Sequence, residues 1–155
     1  MNSVVSCFLG AKGAMADDKK KILVCDDNED ILEVVSTIVR RAGYSVVSAN
    51  GYQELLPLID SVRPNLLICD IRMPERDGFW IAEHLQMHGI RIPIIFMTAY
   101  DSNLYRTYAP FVGSVGFVTK PIDSQELVSQ IKKALDGIDA ASSSSANSSV
   151  ISPLK

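Results

Sequence analysis

The sequence predicts an α/β fold: a doubly wound parallel sheet of five strands, flanked by five helices on its two faces. Three observations predict it. Short apolar runs alternate five times with longer amphipathic stretches, the pattern of strand–helix–strand units. Two of the runs, residues 66–69 and 94–98, are apolar on both sides, as strands of a sheet covered on both faces require. The breakers Gly43, Pro64 and Pro93 fall between the runs and not within them.

The first strand is expected over residues 22–25 and the first helix over 29–41. In that helix Ile31, Leu32, Val34, Val35, Ile38 and Val39 form one wide apolar face. Asn28 or Asp27 is its N-cap, and Gly43 stops it. The second strand and helix follow at 45–49 and 52–62. Pro64 and Pro93 stand just before the third strand, 66–69, and the fourth, 94–98, where a missing donor does little harm. The third helix is expected at 79–88. The fourth, 102–108, is limited by Pro110 to about two turns. A fifth strand at 116–119 and a fifth helix at 124–135 complete the alternation. The expected domain covers residues 20–137. Residues 1–19 form a leader or extension. From Ala140 the chain reads AASSSSANSSVISPLK, too poor in apolar side chains to offset its ordering entropy, so 138–155 is expected to be a flexible Ser-rich tail or linker.

At 155 residues and 47% hydrophobic the chain can bury the core of one soluble domain. A net charge of −3 does not favour nucleic acid or an acidic membrane surface. No apolar run is long enough to span a bilayer. Cys7, Cys25 and Cys69 make an odd count without metal-type spacing, which argues against a disulfide framework or a zinc site and for a reducing cytoplasm. Cys25 and Cys69 close apolar runs and read as small core residues. The opening stretch has a short apolar part with no basic residue before it, a poor secretory signal, and Met15 offers an alternative start.

Ligand chemistry in a parallel sheet gathers at the carboxyl ends of the strands. The first strand delivers Asp26 and Asp27 there, the third Asp70, the fourth Thr98 and the fifth Lys120. Two adjacent aspartates repel unless water or a cation lies between them. Three carboxylates suit a hard divalent cation such as Mg2+, which takes one or two carboxylates plus water and phosphate oxygens. A lysine and a hydroxyl opposite suit the other oxygens of a phosphoryl group. One carboxylate is then left as nucleophile. Asp70 is the best candidate, because the turn after it, with Pro74 and Gly78, frees it from helical constraints.

On the acidic pair Asp26–Asp27, the segment DIRMPERDG from Asp70, Thr98, and the pair Lys120–Pro121, the chain resembles the receiver domain of two-component response regulators. The spacing agrees with the chemotaxis receiver, Thr98 and Lys120 lying 22 positions apart. The resemblance implies a flavodoxin-like sheet of order 2-1-3-4-5. It implies that Asp70 accepts a phosphoryl group from a phosphohistidine on a histidine kinase or histidine phosphotransfer protein. Asp27 would ligate Mg2+ directly, Asp26 through water, and the main-chain carbonyl of Arg72 would be the third protein ligand. Thr98 and Lys120 would grip phosphoryl oxygens. Phe117 would be the switch aromatic, and Lys120–Pro121 a cis peptide. The signal would leave by the face of the fourth helix, fifth strand and fifth helix, with Tyr105, Arg106, Tyr108 and Phe117 on or near it. That face would serve an output protein or a homodimer. Three departures stand out: the long cation Arg72 and the large Tyr100 beside the phosphoryl site, and YAPFVGSVG (108–116) leading into the fifth strand.

Alone, each residue has a plainer reading: the aspartate pair as a helix cap, Lys120 as a surface charge, Phe117 as core. Their coincidence on one rim is what speaks for chemistry. His84 and His88, four residues apart on a predicted helix, read as a surface pair. The leading expectation is a stand-alone phosphorylation switch, not an enzyme, with no direct nucleic-acid contact. The alternatives are a receiver module of a longer regulator or hybrid kinase and an aspartate-nucleophile phosphatase. The phosphatase needs a second acid two residues after the nucleophile, where Arg72 stands. A flavin site would need a phosphate-cradling loop where the aspartate pair lies. Loss of Lys120 is expected to spare folding.

Overall fold

The computed structural model describes residues 18–100 and 102–151, with side chains as far as Asp139. Residues 1–17, with Cys7 and Met15, lie outside the described residues, as do 152–155. The sheet has five parallel strands: β1 (Lys21–Cys25), β2 (Ser45–Ala49), β3 (Leu66–Asp70), β4 (Ile94–Thr98) and β5 (Ser114–Thr119). Their order is β2-β1-β3-β4-β5, as expected. The helices are α1 (Glu29–Arg41), α2 (Tyr52–Val62), α3 (Gly78–Met87), α4 (Asn103–Tyr108) and α5 (Ser124–Ile151).

Strand alternation divides the core in two. Leu23, Cys25, Leu67, Cys69 and Phe96 pack with Leu55 and Ile59 of α2 and Ile81 and Leu85 of α3. Ile22, Val24, Ile68, Ile95 and Met97 pack with Val35 and Val39 of α1 and Leu127 and Ile131 of α5. The central strands β3 and β4 are buried at every position, which is why they read as unbroken apolar runs. Among the described residues no helix is long and apolar enough to cross a membrane.

Two expectations change, at the fifth strand and the fifth helix, while the short fourth helix is as expected. β5 begins at Ser114, not at residue 116, because a register shift opposite Ile94 and Ile95 takes in Val115. Pro110 ends α4 after six residues, and the chain continues as a 3-10 turn, Ala109–Val112. The fifth helix, expected over 124–135, runs on in its backbone through Ile151. A docked first half supplies the costly nucleus, and no proline follows until Pro153, so propagation continues through alanines and serines.

Candidate functional site

The site lies where β1 and β3 sit side by side and their crossovers turn to opposite faces. Asp26 leaves β1 at its carboxyl end, fully buried, while Asp27 beside it is exposed. Asn28 then caps α1, its side-chain oxygen accepting from the N–H groups of Asp30 and Ile31. Its own N–H donates to Asp26 Oδ1 at 2.9 Å, which orients that carboxylate. Asp70 ends β3, only 4% exposed.

One carboxylate oxygen from each of Asp26, Asp27 and Asp70 lies within 4.8 Å of the others. Lys120 follows β5 across a cis bond to Pro121, as the resemblance implied. Its Nζ stands 2.8 Å from Asp26 Oδ2 and 3.2 Å from Asp70 Oδ1. Burial and then the Asp26 charge push the Asp70 carboxyl up to about 6, against the pull of Lys120. Burial works to lower the Lys120 ammonium, but its hydrogen bond to Asp26 and the Asp70 charge leave it above its ordinary value. These two ion pairs bear on the expectation that loss of Lys120 spares folding: without Lys120 the Asp26 and Asp70 carboxyls face each other with no cation between them.

Gly78 lets α3 approach the rim. A Cβ there would meet the Asp70 carbonyl oxygen at 2.6 Å. Below the carboxylates, Cys25 lies against Met73 (Sγ to Sδ 3.8 Å). A hydrogen bond with Cys25, then burial, pushes the Cys69 thiol well up. Both cysteines are core thiols, as their positions suggested.

Thr98 is buried at the end of β4, but its hydroxyl is engaged within its own loop. Oγ1 accepts from Tyr100 N–H at 3.0 Å and donates to Tyr100 O at 3.2 Å. Phe117 is turned inward, 8% exposed. Sequence reasoning missed how tightly it is held. The Gln130 side chain of α5 accepts from Phe117 N–H and donates to Phe117 O, each at 2.7 Å, which closes part of the open edge of β5. Gly116 makes room for it, since a Cβ there would lie 2.3 Å from Gln130 Oε1. Arg106 lies over the Phe117 ring, 4.8 Å from its centroid. Tyr105 and Tyr108, placed on or near the output face by the sequence, both pack edge-on against Phe79, and Tyr108 donates to Glu83. The large apolar side chains that this side leaves open to solvent are Leu104, Phe111 and Val115.

The donor set fits a hard divalent cation: three carboxylate oxygens, one of them from exposed Asp27. Residues 22–132 match the response regulator receiver domain, and the chain belongs to that family of two-component signalling proteins. It is 30% identical over 126 residues to the alkaline phosphatase synthesis transcriptional regulatory protein PhoP of Bacillus subtilis, covering 81% of this chain and 52% of that protein. Chemotaxis protein CheY4 of Vibrio cholerae superposes with a TM-score of 0.71 at 28% identity, over 76% of this chain and 99% of that one. The receiver domain of Francisella response regulator 1452 gives 0.73 at 27%, over 77% and 99%. The chain spans about half the length of PhoP and of the algal regulators it matches, and less of others.

Proposed function

We propose that this receiver is a cytoplasmic phosphoacceptor switch of a two-component phosphorelay, with Asp70 as the acceptor. The observation that carries it is the convergence of three carboxylates, two of them buried, and Lys120 on one rim. Asp27 directly, Asp26 through water, Asp70 and the Arg72 carbonyl would hold Mg2+, which neutralises charge on the phosphoryl oxygens. An Asp70 oxygen attacks phosphorus of a phosphohistidine presented by a histidine kinase or phosphotransfer protein. The P–N bond breaks, its electron pair stays on the imidazole nitrogen, and an acyl phosphate forms. Lys120, already beside Asp70, pairs with the new charge.

Thr98 reaches a phosphoryl oxygen only by giving up its bonds to Tyr100. That exchange moves the loop that starts α4 and frees space for Phe117 to turn. It shifts a population between two packings. The output is then read on the α4–β5–α5 face by a partner protein, a second copy, or a domain beyond these residues. Arg72 and Tyr100, both exposed beside the rim, set water access and so the lifetime of the acyl phosphate.

Incubation with acetyl phosphate, with and without Mg2+, followed by intact mass tests the assignment. One phosphoryl group should appear only with Mg2+ and not in Asp70→Asn. Full labelling of that variant places the acceptor elsewhere.

A further inference from the structure

The chain's only two histidines and its single tryptophan stand on one side of α3, Trp80 in its first turn and the histidines toward its carboxyl end, away from the rim. Trp80, His84 and His88 are spaced by four residues, so their side chains stack up the same helix face. Trp80 and His84 are stacked at 4.8 Å between centroids, and His84 and His88 lie 4.2 Å apart at 34°. His84 is half-buried and His88 exposed.

Three features go beyond two imidazoles sharing a surface. His88 Nδ1 lies 2.9 Å from His84 O, and a carbonyl oxygen only accepts, so Nδ1–H is the donor and Nε2 is the ring nitrogen left for a ligand. A backbone carbonyl holding one ring nitrogen so that the other is presented is the usual outer-shell support of a metal-bound histidine. The Trp80 stack fixes the second ring. His88 is the C-cap of α3, where the helix dipole favours a cation.

We propose that His84 and His88 form a two-point chelate for a borderline divalent ion of the Zn2+, Ni2+ or Cu2+ class, with water completing the shell. Imidazole nitrogen suits these ions, whereas the oxygen donors of the rim suit Mg2+. The site is separate from the phosphoacceptor reading and does not depend on it.

Trp80 reports directly. Ni2+, a paramagnetic quencher that does not oxidise thiols, should quench its fluorescence saturably, and excess Zn2+ should restore it. His88→Ala leaves the Trp80–His84 stack in place and should weaken Ni2+ binding at least about tenfold. Asp27→Ala should leave it unchanged. Unaltered Ni2+ affinity in His88→Ala, loss of quenching in Asp27→Ala, linear quenching without saturation, or failure of Zn2+ to reverse it would each overturn the assignment.

Discussion

α1 and α4 flank opposite faces of the same sheet, and they are built to different standards. α1 runs 13 residues from a two-bond Asn28 cap, carries acids in its first turn and bases in its last, and buries Leu32, Val35, Ser36 and Val39. Each feature stabilises it independently. α4 runs six residues, is stopped by the Pro110 turn and buries none of its own residues. It leaves Leu104 three-quarters exposed and rests on aromatic edges at Phe79. The difference teaches where movement is cheap. The acidic rim stands on strands buried at nearly every position, so on the proposed reading charge added there should be relieved on the α4–β5 side, where α4 buries none of its own residues.

The largest expected effect is at the fixed end. Lys120→Ala should destabilise the fold by about 3–5 kcal/mol at neutral pH, because the buried Asp26 and Asp70 carboxyls then face each other with no cation between them. Mg2+ should recover part of that, since an ion bound only by the folded state stabilises it. Urea unfolding with and without Mg2+ measures both. A loss under about 1 kcal/mol would mean that the rim is more solvated than its burial indicates.

Asp70 should act in the opposite direction. Its carboxyl stands at about 6 in the fold against an ordinary 3.8, so the fold favours the protonated form. That contribution is complete below 3.8 and is lost as pH rises through 6. At pH 7.5 without Mg2+, Asp70→Asn should therefore stabilise the domain, by up to about 3 kcal/mol, and the gain should shrink as pH falls below 6. A pH series of denaturation midpoints for the two proteins checks the sign. Gly78→Ala comes next, at about 1–3 kcal/mol of destabilisation, because its Cβ meets backbone that cannot yield.

The smallest effects belong to the movable side. Gln130→Ala should cost about 1 kcal/mol and raise amide exchange along β5, with exchange in α1 unchanged. Arg106→Ala should cost less than about 1 kcal/mol while changing the environment of Phe117, read from its ring resonances.

The two regions also differ in how legible they were. β3 and β4 could be read because unbroken apolar runs have one economical fate, and their ends placed Asp70 and Thr98. Asp26, Asp27 and Lys120 followed from the same logic. What could not be read was polar and long-range. Gln130 looks like any solvent-facing residue of an amphipathic helix, and only the approach of α5 to Gly116 reveals its bond to β5. Thr98 was placed correctly, but its engagement with Tyr100 depends on a loop conformation that spacing does not encode. The start of β5 was missed because Ser114 and Val115 belong to an irregular register with no sequence period. The helical backbone beyond Leu135 was missed because a serine-rich composition carries no apolar period by which to extend the helix.

The central claim is that charge on Asp70 is felt across the sheet at the poorly anchored side. Amide hydrogen exchange of the Mg2+-loaded protein, with and without beryllofluoride as phosphoryl mimic, measures it most directly. The account predicts that protection changes at Asp26, Asp27 and Asp70 and also through residues 102–118, with α1 beyond its first turn unaffected. Changes confined to the three aspartates, with 102–118 exchanging as before, would contradict it.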